Sequence, residues 1–410
     1  MTTALELLKT LPDTPERVQQ ELALQLTLGV PLQILKGHAA PEVGETYNRV
    51  LELCGQVGET AHLFPALFGL WRFYLLRPDV QKAHELAEQM MRLAQSSHDP
   101  SLLLEAHQAV GASLLYLGEL RQGRRHLEQG SALYDIHKHR SHAFLYGVDP
   151  GVYCLCFAAW NLWCLGYPDQ ALKNTQDALH LAHELAHPHT LAFALNITAM
   201  FHQLRQEETA VREQAEALLT LSTEHGFAYR AAVATIMRGW VLAAADQTEE
   251  GLVRMQEGLA AQRATGSESV APYFLALQAE IYGKMGQLEE GLAALAEASA
   301  LRQRTGEQWY EAELYRLRGE LTLAKSRVQS LGSSVQKEAE ECFWKAIEIA
   351  RRQQAKSLEL RAVTSLSRLW QSQGKKDEAR QMLAEVYNWF TEGFDTKDLQ
   401  EAKALLEELA

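Results

Sequence analysis

Residues 183–187 read His-Glu-Leu-Ala-His. On one continuous helix, His183 and His187 would stand four residues apart on a single face. That is the spacing at which two imidazoles hold a zinc ion, with Glu184 taking a proton from a metal-bound water. Glu207, twenty residues further on, is a candidate third ligand. This is the chemistry of a zinc-dependent hydrolase. His180, His183 and His187 also fall at i, i+3 and i+7, a face that captures stray divalent metal without any dedicated site. A second histidine group, His137, His139 and His142, lacks a carboxylate or thiolate at ligand spacing. There is no phosphate loop of the Gly-x4-Gly-Lys-Ser/Thr type and no Gly-x-Ser-x-Gly nucleophile elbow, so no cofactor is expected.

The elements that would carry these residues repeat along the chain. "YLGELRQGRRHLEQG", "CLGYPDQALKNTQDAL", "AADQTEEGLVRMQEGL", "GKMGQLEEGLAALAEA" and "SQGKKDEARQMLAEVY" each hold a turn residue followed by small residues seven apart. The pairs are Ala83/Met90, Gly123/Gly130, Ala171/Ala178, Ala210/Ala217, Gly251/Gly258, Gly291/Ala298, Ala339/Ala346 and Ala379/Val386. Seven residues make about two helical turns, so each pair marks a face that a neighbouring helix can approach closely. A bulkier apolar segment precedes each turn, as in "LFGLWRFYLL" and "LALQAEIYGKMG". No stretch alternates like a strand between hairpin turns.

The spacing therefore predicts an all-α, tetratricopeptide-like α-solenoid with a period near 40 residues. About nine antiparallel helix pairs would wind as a right-handed superhelix over residues 1–410. Residues 1–58 would hold an N-terminal helix pair, at about Pro15–Gly29 and Pro41–Val57, and 59–390 about eight repeats. Insertions are expected near 136–150 and near 325–336, the second as a mobile loop. Residues 391–410 would be a capping helix with a polar outer face. In this frame His183 occupies a slot that other copies fill with Gln95, Asp135, Arg263 or Gln303, and Pro188 stops the helix at His187. A polar surface turn is thus the stronger reading of the histidine motif.

The formal charge of −13 and the lack of a Lys/Arg run argue against direct nucleic-acid binding. No apolar run is long enough for a membrane span. Five cysteines without framework spacing fit reduced thiols in a cytoplasmic protein. With the first helix of each pair expected on the concave face, the polar candidates are Arg72, His107, Asn161, Asn196, His202, Arg238, Gln278, Glu313 and Arg316. Trp71, Trp160, Trp163, Phe201, Trp240, Tyr273 and Tyr315 accompany them. Arginine and aromatic residues anchor recognition surfaces.

Longer phrases carry a further likeness: "LELLKTLPDTPERVQQELALQLTLGVPL", "HAAPEVGETYNRVLELC", "HRSHAFLYGVDPGV", "LGYPDQAL", "ELAHPHTLAFAL" and "YEAELYRLRGELTL". This wording resembles the C-terminal helical-repeat region of large bacterial signalling proteins. Those carry a class III nucleotide cyclase or kinase domain followed by a P-loop signal-transduction ATPase. A more distant similarity is to the helical sensor domain of sugar-responsive transcription activators. The resemblance implies a non-catalytic sensor arm whose partner is a protein, a peptide or a small inducer. It singles out His139, Arg140, Asp149 and Pro150 in "HRSHAFLYGVDP" as a structural or ligand-contacting loop. The alternatives are the zinc hydrolase and a purely structural scaffold.

Overall fold

Among the described residues the chain forms nine antiparallel helix pairs and four further helices, with no strand. The structure is a computed structural model and describes residues 2–12, 14–57, 62–77, 79–329 and 333–410. The expected boundary at 58/59 lies outside the described residues. The first, inner helices of the pairs are Pro15–Lys36, Leu63–Leu76, Pro100–Tyr116, Pro150–Leu165, Pro188–Leu204, Ala228–Ala244, Ala271–Lys284, Glu311–Gln329 and Lys356–Ser372. Their partners are Pro41–Val57, Val80–Ser97, Leu120–Leu133, Pro168–Leu185, Glu208–His225, Thr248–Ala264, Leu288–Thr305, Ser333–Gln353 and Lys376–Tyr387. Helix starts are set locally. Thr14, Asp79, Asp99 and Asp149 each accept a backbone N–H from the first turn they cap. Prolines 15, 100, 150, 168 and 188 sit where a missing N–H costs nothing.

The period is written in the backbone as well as in the packing. Between the helices of a pair, Gly166, Gln206, Asp246 and Gly286 all have left-handed φ and fall 40 residues apart. Between pairs, Ala186, Gly226, Gly266 and Gly306 do the same. Ala186, at φ 51°, therefore ends one helix and turns the chain into the next. This reversal decides the opening motif. His183 lies exposed in the last turn of Pro168–Leu185, whereas His187 is the N-cap of Pro188–Leu204, its Nδ1 3.3 Å from the Thr190 N–H it accepts. The two imidazoles do not share a helix face, and neither do His180 and His187. Glu207 is engaged by His202 and Arg205.

Three expectations are corrected. In Glu208–His225 the buried positions are Val211, Ala215, Leu218 and Ser222, while Ala210 is half-buried and Ala217 exposed. The repeat register there is Val211/Leu218, which places Val211 40 residues from both Ala171 and Gly251. The alanines matched by size alone. The first inner helix does not stop at Gly29 but continues through Pro31 to Lys36. The second insertion is largely helical: Glu311–Gln329 extends into it and Ser333–Gln353 begins in it, with Lys325 paired to Glu289 at 2.6 Å. The first insertion folds as two short helices, Ile136–His139 and His142–Tyr146. The terminal helix Lys397–Glu408 buries Leu399, Ala402 and Leu405.

Successive turns of the superhelix touch. The last-turn carbonyls of a helix have no partner inside it, and here the later chain supplies the donors. Leu76 O accepts from Ser267 Oγ at 3.3 Å and from Glu268 N at 3.0 Å. Tyr116 O accepts from Gln308 N at 2.6 Å, and Trp163 O from Ser357 Oγ at 2.6 Å. Each of these inner helices thus ends against the residues that open the inner helix five pairs on. Gln206 continues the series, donating to Asp398 at 3.1 Å at the start of the terminal helix. On the outer side Glu392 accepts from the N–H groups of Asp169 and Gln170, both at 3.1 Å, a carboxylate held at a helix N-terminus.

Two substitutions test this packing. A Cβ on Gly251 would lie 2.6 Å from Gly239 O and 2.7 Å from Ala243 N, so backbone rather than side chain would have to move. Gly251→Ala should cost about 2–3 kcal/mol in urea unfolding. Ala186→Gly, relieving a left-handed alanine, should add about 0.5–1 kcal/mol in the same assay. A helix running unbroken through the histidine motif would instead make the glycine variant less stable.

Candidate functional site

The inner helices bring polar residues together at two places. The larger is a groove of about 220 Å³ lined from both turns of the superhelix. Gln203 and Gln206 come from the end of Pro188–Leu204 and the turn after it, and Trp240 from the next inner helix. Glu280, Glu313, Arg316, Arg361 and Arg368 come from later inner helices and Asp398 from the terminal helix. Glu313 and Arg316 lie one helical turn apart, which lets the guanidinium fork onto the carboxylate at 2.7 and 3.0 Å. The other arm of Arg316 reaches Glu320 at 3.2 Å, and Glu280 stands 3.7 Å away. Burial opposes ionisation of Glu313, but Arg316 and Arg361 outweigh it and hold its carboxyl below the usual range.

Arg361 ties the groove to the seam between turns. It lies 2.9 Å from Asp398, 3.5 Å from Glu313, donates to Leu204 O at 2.5 Å and stacks 5.0 Å from the Trp163 ring centroid. Trp240 is half-buried and completes the apolar part of the wall. The groove therefore offers both signs of charge beside one indole, with its arginines already paired to carboxylates.

The remaining sequence candidates separate. Tyr273 is fully buried, its hydroxyl donating to Gln203 at 2.6 Å within a cluster formed by Trp309 and Tyr310. His202 is 2.5 Å from Glu207. Arg238 faces away from the groove: it is exposed among Arg212, Glu216, Arg254 and Glu257, residues of the outer helices. Two residues on a helix are about 200° apart, which explains why Arg238 and Trp240 part company. Asn196 lies deeper in the first turn, accepting from Arg230 at 2.8 Å.

The insertion residues have structural contacts. Asp149 caps Pro150–Leu165 through Val152 N at 3.1 Å and accepts from the Tyr134 hydroxyl at 3.0 Å. His139 is buried, accepting from Asp135 N at 3.0 Å, with Ser101 Oγ 3.2 Å from its other nitrogen. Arg140 is exposed and donates to Leu185 O at 3.4 Å. Beside them His142 stands 2.8 Å from the wholly buried Glu105, whose carboxyl burial pushes up to about 7. Sequence reasoning passed over Arg230, Arg361 and Asp398. The arginines carried the same signal as Arg72, a cation set among apolar neighbours in "AYRAAVATIM" and "LELRAVTSL". Nothing local marked Asp398, whose partners lie 37 and 192 residues away.

Among the described residues, no group of three or more His, Cys, Asp or Glu is arranged to hold a metal ion, and no helix is long and apolar enough to cross a membrane. No family model matches the chain. An uncharacterised protein of Rhizobium meliloti is 24% identical over 87% of this chain. The chain spans about a third of that relative, 34% of its length. Among solved structures, a Rap protein complexed with competence and sporulation factor superposes with a TM-score of 0.60 at 12% identity, covering 95% of this chain and 100% of that one. A signal-transduction ATPase with a tetratricopeptide repeat sensor from Pyrococcus horikoshii aligns at a TM-score of 0.39 and 11% identity, over 90% of this chain and 55% of that one. The first likeness supports the all-α, tetratricopeptide-like solenoid; the second is too low to carry an argument.

Two measurements probe these contacts. Arg361→Ala should lower stability by about 2–3 kcal/mol, because Asp398 loses its cation and Leu204 O its donor. Urea unfolding reads this directly. For Glu105, the folded carboxyl titrates near 7 and the unfolded one near 4.5. The folded state therefore keeps a proton that the unfolded state has lost, so this group's contribution falls as pH rises from about 4.5 to 7. Glu105→Gln should match the wild type in melting temperature below pH 5 and exceed it above pH 7. A parallel pair of curves would remove Glu105 from the account.

Proposed function

We propose that this chain is a non-catalytic sensor arm of a cytoplasmic signalling protein. It binds a protein or peptide partner in the inner groove and passes that event to an attached or partnering ATPase or cyclase. The observation that carries the reading is the composition of the groove. Its wall comes from both turns of the superhelix, so a ligand seated there bears on Arg361 and Asp398, the residues that join the turns. Stability in such arrays resides in neighbouring contacts, and a change at one seam alters the curvature of the whole.

Paired charges suit the role, since a peptide can exchange partners with Glu313, Arg316 and Arg361 without leaving a charge bare. The structurally similar Rap protein was solved with competence and sporulation factor, and the relative three times as long leaves room for an output domain. Both are arguments by analogy. Five buried cysteines, none of them in a disulfide, agree with a reducing compartment.

A displayed peptide library selected on the full chain tests this. Peptides recovered should bind about tenfold more weakly to Trp240→Ala and to Arg368→Ala, both on the groove, and equally well to Arg238→Ala on the outer side. A library that yields no binder, or binders indifferent to the groove variants, would sink the reading.

A further inference from the structure

The second gathering of polar residues lies deeper among the inner helices, in a small cavity of about 30 Å³. Its walls are largely aromatic. Tyr153 stacks on Phe157 at 4.5 Å and on Phe193 at 4.9 Å, within 4° and 11° of parallel. Two guanidiniums rest against these rings: Arg72 lies 4.8 Å from the Tyr153 centroid, and Arg230 lies 5.2 Å from that of Phe193. Both arginines are buried, with 3% and 7% of their surface exposed. Neither makes an ion pair with a carboxylate among the described residues.

The hydrogen-bond balance is one-sided. Arg72 Nη1 and Nη2 and Trp160 Nε1 are buried N–H donors without an acceptor, and both side chains line the cavity. Arg230 donates to Asn196 Oδ1, and the Asn196 amide donates only to Met200 Sδ at 3.4 Å. Two positive charges and a surplus of donors thus surround one space. The nearby histidines add no charge. Burial first, then Arg230, holds His189 down at about 3, and burial with Arg72 holds His38 well below its ordinary value. Glu105 attracts Arg72 only from beyond ion-pair distance, and a buried cation without a counter-ion in contact is among the costliest groups a fold can carry. A water molecule could accept two of these hydrogen bonds but would neutralise neither charge.

We infer that this cavity is a binding site for a carboxylate group, held between Arg72 and Arg230. The planar two-oxygen head fits the forked donors of a guanidinium. A cavity of about 30 Å³ admits the head and little more. The carboxylate belongs either to a small free acid or to the end of a peptide chain. This site is separate from the groove, and either can hold without the other.

Calorimetric titration of the full chain with sodium acetate, in chloride-free buffer, is the direct test. The wild type should bind one equivalent saturably, and Arg72→Met should bind about tenfold more weakly or worse. Asn196→Asp guards against a variant that does not fold. It places a carboxylate of nearly the same shape beside Arg230, so it should raise the melting temperature and abolish acetate binding. N-acetylglycylglycine competing as the acid but not as its amide would identify a chain end; acetate binding without such competition would identify a small free acid. No saturable acetate binding by the wild type, or binding that survives Asn196→Asp, would overturn the assignment.

Discussion

The carbonyl groups that end each inner helix set the geometry on which the remainder of the molecule rests. They point out of the last turn with no internal partner, and in an open solenoid water would take them. Here Leu76 and Tyr116 give them to donors on the following turn of the superhelix, and the Trp163 carbonyl, which also accepts from Gly166 N–H, takes a further donor there. Because each donor sits at the start of the inner helix five pairs on, the tie fixes pitch as well as contact. The concave face is consequently not an open trough. It is divided into a groove where the two turns meet and a small cavity among the earlier inner helices.

The two spaces solve the problem of buried charge in opposite ways. In the groove, Glu313, Arg316, Glu320, Arg361 and Asp398 form a chain of ion pairs in which every arginine meets a carboxylate. In the cavity, Arg72 and Arg230 rest on aromatic rings, which offset part of the desolvation but supply no counter-charge. The first arrangement suits reversible exchange of partners; the second is complete only with an anion.

Much of the fold was legible because a repeat states its own rules many times. Turn residues at a 40-residue spacing, prolines at helix starts and small residues two turns apart all follow from local sterics, and the structure carries them. Where one copy departs from the pattern, composition misled. Ala210 and Ala217 have the right size in the wrong register, since burial rather than size decides which face packs. The histidine motif failed for a related reason. A regular expression counts residues, while a left-handed Ala186 between its two histidines divides them between helices. Of the candidate residues, Trp240, Glu313 and Arg316 meet in the groove and Asn196 in the cavity, but Arg238 lies on the outer side.

The sequence by itself determined the helices, their pairing and their period, because capping, turn chirality and helix–helix approach act within some 40 residues. Only the tertiary structure decided which inner residues face one another. Trp163 with Ser357 and Gln206 with Asp398 are partners 194 and 192 residues apart, and the unpaired state of Arg72 emerges only once its neighbours are in place. Superhelical pitch accumulates small rotations over five repeats, and no local pattern records the sum.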